Sequence, residues 1–129
     1  KYQDIQKAKF KKCDMIVMNY TLQFVQPSAR QDLINKLYQR LNWGGALFLF
    51  EKVRAADARF QDILTSAYVE YKIRKGFKSL DIFMKNRSLR GVLEPFSTKA
   101  NYDMLERAGF VDLNSIQKYI CFEGFLAIK

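Results

Sequence analysis

The chain of 129 residues has the size of a single domain, since domains commonly hold about 100 to 200 residues. Its hydrophobic content of 49% and aromatic content of 15% exclude the composition of a disordered chain. Two isolated cysteines and no histidine argue against a zinc site and exclude Ser-His and Cys-His nucleophile pairs, so we expect no metal. The net charge of +9 suits an anionic partner such as nucleic acid, and equally suits a solvated basic surface.

Nothing in the sequence predicts contact with a membrane. The apolar run at residues 43–50 is far shorter than the roughly 18 residues that a spanning helix needs. The first residues, KYQDIQKAKFKK, do not have the pattern of a signal peptide. We therefore expect a soluble, cytoplasmic protein without a membrane partner.

The first half of the sequence predicts a strand, a helix and a second strand. The segment CDMIVMN contains an apolar run at residues 15–18, which indicates a strand covered on both faces. In QPSARQDLINKLYQRLN, Ser28 is predicted to cap the helix together with Gln31, and Gly44 and Gly45 are predicted to end it. ALFLFE is predicted as the next buried strand. A βαβ unit of this kind predicts two parallel neighbouring strands. The helix is expected to bury one apolar side, formed by Leu33, Ile34, Leu37, Tyr38 and Leu41.

Polar residues follow both predicted strands at the point where each one ends. Asn19 follows the first strand, and Glu51 and Lys52 follow the second. In open α/β sheets ligands bind outside the carboxyl ends of the strands. We therefore expect Asn19, Glu51 and Lys52 to border a binding crevice, with Glu51 and Lys52 forming either an acid-base pair or an ion pair at its rim.

The second half of the sequence is less regular. Residues 55–74 predict a helix with Phe60, Ile63, Leu64, Ala67 and Tyr71 on one side. Residues 79–97 are interpreted as a lid-like helical insertion, whose pattern is too irregular to define its elements. STKANYDMLERAGF predicts a capped helix that ends at Gly109. The last nineteen residues predict two strands with a kink or bulge at Glu123 and Gly124.

These elements resemble the second half of a class I S-adenosylmethionine (SAM)-dependent methyltransferase. LNWGGALFLFEK is similar to the fifth strand of that fold, where LxPGGxLxxxE is common, with Trp43 in place of proline. The segment MNYTLQFVQPSARQDLINKLYQRLNWGGALFLFEK, together with KNRS and GVLEP, resembles the carboxy-S-adenosyl-L-methionine synthase (CmoA) family over essentially the whole chain. The implied fold is α/β: the C-terminal half of a Rossmann-like methyltransferase domain, mostly parallel with a terminal antiparallel strand pair.

The resemblance implies that residues 1–129 are the C-terminal part of one SAM-binding domain. A helical insertion is expected at about 55–97, and the N-terminal part, with its Gly-rich loop and ribose-binding acid, is absent. Cofactor affinity of the fragment alone is therefore expected to be very weak or nil, and the fragment inactive. One departure is Gln3, which stands where the family has glycine.

The resemblance also implies an activity and its residues. Enzymes of this family convert SAM and prephenate to carboxy-S-adenosyl-L-methionine (carboxy-SAM) and phenylpyruvate, and a partner enzyme uses the product to modify wobble uridine in tRNA. Asp4 and Ile5 match the pair that lies against the adenine, and Asn19 matches the residue near the sulfonium. Arg87 matches the residue that holds the added carboxylate, where a guanidinium can form two parallel hydrogen bonds. The family is dimeric, which implies a homodimer.

Two other functions remain open on the sequence alone. One is a conventional SAM-dependent methyltransferase that acts on tRNA or a small molecule. The other is a non-catalytic basic fragment for RNA binding or assembly. A group of aromatic residues could line a prephenate pocket, stack on nucleobases or simply belong to the core, namely Tyr20, Phe24, Tyr68, Tyr71 and Phe83.

Overall fold

The structure of the protein is a computed structural model that describes residues 4–129, so Gln3 lies outside the described residues. Within that range a four-stranded sheet has the order β1-β2-β4-β3. β1 and β2 pair in parallel, and β4 pairs antiparallel with both β2 and β3. The elements are β1 (Cys13–Asn19), a 3-10 turn (Leu22–Phe24), α1 (Pro27–Arg40), β2 (Leu41–Lys52), α2 (Ala58–Arg74), α3 (Ser79–Ser88), α4 (Thr98–Ala108), β3 (Asp112–Tyr119) and β4 (Phe122–Ile128).

The predicted βαβ unit is confirmed by the parallel register of β1 and β2, in which Asn19 is the partner of Phe50. The expectation that β1 is covered on both faces is wrong for this chain. Met18 is buried, whereas the Met15 and Val17 side chains are 62% and 48% exposed. Side chains alternate along a strand, so Met15 and Val17 lie on the other face of the sheet from Met18. We call the two sides the helix-covered face and the open face.

The helix α1 is confirmed, but its predicted ends are wrong. It begins at Pro27 after an N-cap at Gln26, which makes no side-chain capping bond, so Ser28 lies inside the first turn. Proline is favoured at the first helical position because its fixed φ suits the helix and its missing N–H would have no partner there. The Gln31 side chain donates to Asn35 Oδ1 (2.8 Å) and to the Met104 carbonyl (3.1 Å), which ties α1 to α4.

The glycine pair Gly44 and Gly45 lies inside β2 and does not end α1. The helix stops at Arg40, and β2 begins with the next residue. Gly44 has a φ of 74° and donates its N–H to the Lys129 carbonyl (2.7 Å). A side chain on Gly45 would meet the Asn42 carbonyl oxygen at 2.9 Å. The two glycines therefore allow an irregular start to β2 before the predicted buried segment.

The core lies between the helix-covered face of the sheet and the helices α1 and α4. α4 has the predicted capping: Ser97 Oγ accepts from the Ala100 N–H (3.1 Å), and Gly109 follows the helix with a φ of 113°. Tyr38 and Phe110 pack edge to face with their ring centroids 4.9 Å apart. Completely or almost completely buried side chains from both layers form this core, including Leu33, Ile34, Leu37, Leu41, Leu47, Leu49, Met104, Leu105, Phe125 and Ala127.

The terminal antiparallel strand pair is confirmed, but the bulge is not at its predicted place. The register shifts on β3 between Ser115 and Gln117, opposite Gly124. Gly124 instead makes room for an aromatic ring, because a Cβ on it would lie 2.6 Å from Phe50 Cε1. The extra residue therefore lies on the partner strand.

The predicted helix at residues 55–74 is confirmed as α2, which begins at Ala58 after Asp57 caps the Phe60 N–H (2.9 Å). It has no buried residue, and Phe60 and Ile63 are 56% and 52% exposed. α3 lies in the segment 79–97, which was expected to be helical but irregular, and it packs against α2. Within residues 4–129 no helix is both long and apolar enough to cross a membrane.

Candidate functional site

The carboxyl ends of β1 and β2 meet at one edge of the sheet, as the parallel pairing requires. A loop at residues 20–24, which we call the crevice loop, leaves β1 there. The Tyr20 N–H donates to the Phe50 carbonyl (2.8 Å), and Tyr20 itself has a positive φ of 50°. Thr21 Oγ1 donates to the Asn19 carbonyl (3.0 Å). These bonds fix the backbone at this edge of the sheet. The side chain of Asn19 is exposed and lies on the open face, as does that of its strand partner Phe50.

Glu51 anchors the crevice loop through hydrogen bonds from two backbone N–H groups. Its side chain is only 2% exposed, and its two oxygens accept from the Leu22 N–H (3.0 Å) and the Gln23 N–H (2.9 Å). Strand alternation places Glu51 on the same face as Leu47 and Leu49, which explains its burial. Burial raises its pKa to about 7, while the two N–H donors and the charge of Arg30 act in the opposite direction.

Arg30 supports the same loop from α1. It is 2% exposed and donates to the carbonyls of Val25 (2.9 Å) and Gln23 (3.2 Å), while its guanidinium lies 4.3 Å from the centre of the Phe96 ring. Burial lowers the pKa of Arg30, and Glu51 and then Glu94 oppose that change. Because its donors meet loop carbonyls and its charge faces Glu51, Arg30 fixes the path of the chain after β1.

Glu51 and Lys52 do not form the expected pair. Consecutive strand residues point to opposite faces, so Lys52 lies on the open face while Glu51 enters the core. The Lys52 N–H donates to Gln23 Oε1 (2.7 Å), which adds a further bond between β2 and the crevice loop. An acid-base or rim ion pair between the two neighbours is therefore wrong.

A second buried carboxylate, which the sequence analysis missed, lies across the sheet. Glu123 is the direct β4 partner of Glu51 and is 3% exposed. It accepts hydrogen bonds from Ser115 Oγ (2.8 Å) and Thr98 Oγ1, and Lys118 Nζ lies 3.4 Å away. Its position in an alternating strand, with Phe125 and Ala127 on the same side, is the signal that could have revealed it.

Asp4 and Ile5 lie in a turn that packs near α1. Asp4 is exposed, and its Oδ1 accepts from the Gln6 N–H (3.0 Å), whereas Ile5 is partly buried against the core. Lys36 Nζ donates to the Ala8 carbonyl (2.8 Å) and so ties this segment to the helix. The structure thus gives Asp4 an exposed position and Ile5 an apolar contact.

Arg87 is exposed on α3. At about 100° per residue, it lies on the opposite side of the helix from Ile82 and Lys85. Its own side of α3 also carries three exposed apolar residues, Leu80 (68%), Phe83 (56%) and Met84 (52%).

A cavity of about 600 Å³ opens between α2, α3, the crevice loop and the end of β2. Of the five aromatic residues considered for a substrate pocket, Phe24, Tyr68 and Tyr71 line it. Tyr20 packs on Phe122 instead (5.6 Å between centroids), and Phe83 lies on the far side of α3. Three lysines from three different elements also line the cavity, namely Lys52, Lys72 and Lys85. Asp4, Asn19 and Arg87 do not line this cavity.

Comparison with curated proteins identifies relatives that are carboxy-S-adenosyl-L-methionine synthases. The chain is 42% identical over 117 residues to that of Campylobacter jejuni, covering 91% of this chain and 50% of the relative. It is 37% identical over 127 residues to that of Staphylococcus epidermidis, covering 98% and 56%. The chain thus spans about half the length of the curated relatives it matches. No family model matches the sequence.

Solved structures with the same fold include SAM-dependent methyltransferases. Human N-acetylserotonin methyltransferase in complex with SAM aligns with a TM-score of 0.66 at 17% identity, over 100% of this chain and 33% of that one. The SAM-dependent methyltransferase SibL aligns with a TM-score of 0.67 at 14% identity, over 98% and 34%. At these identities the likeness concerns the fold, and it confirms the predicted α/β class.

Proposed function

We propose that this chain, which is homologous to the carboxy-S-adenosyl-L-methionine synthases over about half of their length, forms the C-terminal part of an enzyme of that family. The complete enzyme would bind SAM and convert it, with prephenate, to carboxy-SAM and phenylpyruvate. The identity of 42% to a curated synthase is the observation that carries this proposal.

The proposed cofactor site lies at the carboxyl edge of β1 and β2, where ligands bind in open α/β sheets. Asn19 has the chemistry for one end of SAM, because an exposed amide can both donate to a carboxylate and accept from an ammonium group. Asp4 and Ile5 would lie against the adenine, with Ile5 supplying apolar contact. The residues present fit one side of the cofactor, and the Gly-rich loop and the ribose-binding acid would come from the N-terminal part of the domain.

Arg87 is the proposed partner of the carboxylate that distinguishes carboxy-SAM from SAM. A guanidinium can form two parallel charge-assisted hydrogen bonds with a carboxylate, which no neutral side chain can replace. Arg87 lies among Leu80, Phe83 and Met84, whose exposed surface favours contact with a second copy of the enzyme. We therefore propose a homodimer that uses this side of α3.

The product of this reaction would leave the enzyme and serve a second enzyme that modifies wobble uridine in tRNA. Contact with tRNA would then be indirect, in the cytoplasm. The positive charge of the chain would have no direct role in RNA binding under this proposal.

Substitution of Arg87 in the complete enzyme tests the proposal. Arg87→Ala is expected to weaken binding of carboxy-SAM by about 10- to 100-fold, since it removes a bidentate charged contact, while SAM binding changes little. Titration calorimetry with both ligands measures the difference, and Arg90→Ala is the matched control on a neighbouring exposed arginine. Equal losses for the two ligands would contradict the assigned role of Arg87.

Two results would favour the other functions. Methyl transfer from SAM to a tRNA or small-molecule acceptor in the absence of prephenate would indicate a conventional methyltransferase. Steeply salt-dependent RNA binding without any SAM binding by the complete protein would indicate a non-catalytic RNA-binding role.

A further inference from the structure

The crevice loop leaves β1 through an unfavourable backbone conformation. Tyr20 has a φ of 50°, a left-handed conformation that residues other than glycine seldom adopt and that persists only where the surrounding structure fixes it. Asn19, which is proposed to contact SAM, immediately precedes it. Other parts of the chain must therefore hold the loop if Asn19 is to keep its place at the carboxyl edge of the sheet.

Two buried charged side chains supply that support. The two oxygens of Glu51 accept from the N–H groups of Leu22 (3.0 Å) and Gln23 (2.9 Å). Arg30 donates to the Gln23 carbonyl (3.2 Å), and the Glu94 N–H donates to the same oxygen (3.1 Å). Glu51 and Arg30 are each 2% exposed, so these bonds lie in a region of low dielectric constant, where they are strong. The loop is thus fixed from β2 and from α1.

The bonds between Glu51 and the loop depend on the charge of Glu51. An ionised carboxylate can accept both N–H bonds, whereas the protonated group carries an O–H, which replaces one acceptor by a donor. Burial raises the pKa of Glu51 to about 7, so both forms are populated near neutral pH. The charged groups of the surrounding elements are Arg30 on α1, Glu94 in the segment before α4, Glu123 on β4 and Lys118 on β3, which lies 3.4 Å from Glu123.

We infer that Glu51 is a positioning residue for the cofactor: its ionised carboxylate keeps the crevice loop and Asn19 in the arrangement that binds SAM, and the protonated group releases one of the two N–H bonds. This inference rests on the proposed function, since it assigns to Glu51 the shaping of the same cofactor site. SAM affinity should therefore rise with pH through neutrality.

The effect of Glu51 on stability has the opposite sign. Because its folded-state pKa is raised, its contribution to the free energy of unfolding is lost as the pH rises towards 7. SAM binding should strengthen over the same range. The opposite signs separate a change in the loop from a loss of the fold.

Glu123 provides a matched control for Glu51. It is the direct partner of Glu51 on β4, lies on the same face of the sheet and is 3% exposed. Its hydrogen bonds come from Ser115 Oγ (2.8 Å) and Thr98 Oγ1, and neither residue belongs to the crevice loop. Glu123→Gln therefore removes a buried carboxylate from the neighbouring strand without changing a bond to the loop.

The test is calorimetric titration of the complete enzyme with SAM between about pH 6 and 8, on either side of the pKa of Glu51. The wild type should bind about 10-fold more tightly at the upper end, the size expected for one hydrogen bond to a charged group. Glu51→Gln should bind weakly throughout and lack this rise, because its amide offers one oxygen to two N–H donors. Glu123→Gln should follow the wild type within about 2-fold. The ionisation of SAM itself is common to all three proteins and cancels in the comparison.

A second measurement follows the loop directly and needs neither a variant nor a ligand. In the wild-type enzyme the amide proton resonances of Leu22 and Gln23 should shift with pH around neutrality, because the acceptor of both N–H groups changes its charge. Thermal melting at each pH confirms that all three proteins are folded.

Three results would overturn the inference and leave the synthase proposal standing, because SAM would still bind. Equal weakening in Glu51→Gln and Glu123→Gln would show that Glu51 acts only through the stability of the fold. SAM affinities of the wild type and Glu51→Gln that change in parallel with pH would remove the coupling. Amide resonances of Leu22 and Gln23 that do not titrate would show that the loop does not respond to Glu51.

A different result would contradict the proposed function itself. If the wild-type enzyme binds no SAM at any pH, the synthase proposal fails and the cofactor role of Glu51 fails with it.

Discussion

The helices α1 and α2 are both amphipathic in sequence and similar in length, with 14 and 17 residues, yet the protein uses them differently. α1 buries four side chains against the sheet and α4, whereas α2 buries none. Instead, α2 packs against α3 and reaches the sheet through Tyr68 and Tyr71, whose rings contact Phe122 and Tyr119.

This difference separates a packed side of the molecule, at α1 and α4, from a side at α2 and α3 that contains an open cavity. The side of α1 and α4 contains the continuous core, and two of its buried polar residues, Arg30 and Glu51, bond to the crevice loop. The side of α2 and α3 has few buried side chains, several exposed apolar residues, and the cavity lined by Lys52, Lys72 and Lys85. Segments with few buried contacts tend to open at low free-energy cost, and ligand-binding elements are drawn from such segments.

The largest expected effect comes from comparing a substitution in the core with one on α2. Leu49→Ala should lower the free energy of unfolding by about 2–5 kcal/mol, because Leu49 is fully buried and truncation leaves a cavity. Ile63→Ala on α2 should change it by about 0.5 kcal/mol or less, since that side chain is half exposed. Urea denaturation of the two variants gives both values. Equal losses would show that α2 belongs to the same packed unit as α1.

Substitution of two glycines tests the same difference between the two sides with a smaller expected effect. Gly109→Ala should destabilise the protein by about 2–3 kcal/mol, since it combines a positive φ with a Cβ placed 2.8 Å from the Tyr38 ring. Gly76→Ala, between α2 and α3, should cost only about 1 kcal/mol, because its φ is also positive but no atom lies within 4 Å of the new Cβ. Thermal melting of both variants compares them. A larger loss at Gly76 would contradict the open character of the α2 and α3 side.

The pH dependence of stability tests the buried carboxylate under the crevice loop. The folded-state pKa of Glu51 is about 7, above its ordinary value of 4.5, so between these values the folded state holds a proton that the unfolded state has lost. The contribution of Glu51 to stability is therefore full below pH 4.5 and is lost as the pH rises towards 7. Glu51→Gln should remove this part of the pH dependence.

The measurement is the urea midpoint of the wild type and the Glu51→Gln variant at several pH values between 4.5 and 7.5. Asp81→Asn is a suitable control, because Asp81 is exposed and lies on the pocket side. A difference between wild type and the Glu51 variant that stays constant with pH would contradict the raised pKa.

Most of the side formed by α1 and α4 could be predicted from the sequence, because the buried positions of these helices must be apolar and therefore recur at helical spacing. Leu33, Ile34 and Leu37 recur at helical spacing and are all buried, and Gly109 ends α4 as predicted. Ser28 as the capping residue predicts too late a start for α1, because Pro27, one position earlier, is already the first helical residue.

The side of α2 and α3 could not be predicted in the same way. Almost none of its helical residues are buried, so burial does not impose a regular apolar pattern on its sequence. α3 buries only Ile82, so no apolar periodicity marks it. Lys52, Lys72 and Lys85 come together only through the packing of α2 and α3 near the end of β2, which no local pattern encodes. The burial of Glu51, in contrast, could have been predicted, because Glu51 lies at alternate positions of β2 with Leu47 and Leu49 and therefore on the same buried face. The roles of Asp4, Ile5, Asn19 and Arg87 remain predictions from the family resemblance.

The most direct test of the central claim is the identity of the small molecule held by the complete protein. The protein is purified, its intact mass is measured, and any ligand released on denaturation is analysed by mass spectrometry. The expected result is a released species that is heavier than SAM by one carboxylate. Release of SAM alone, with no carboxy-SAM formed after prephenate is added, would contradict it.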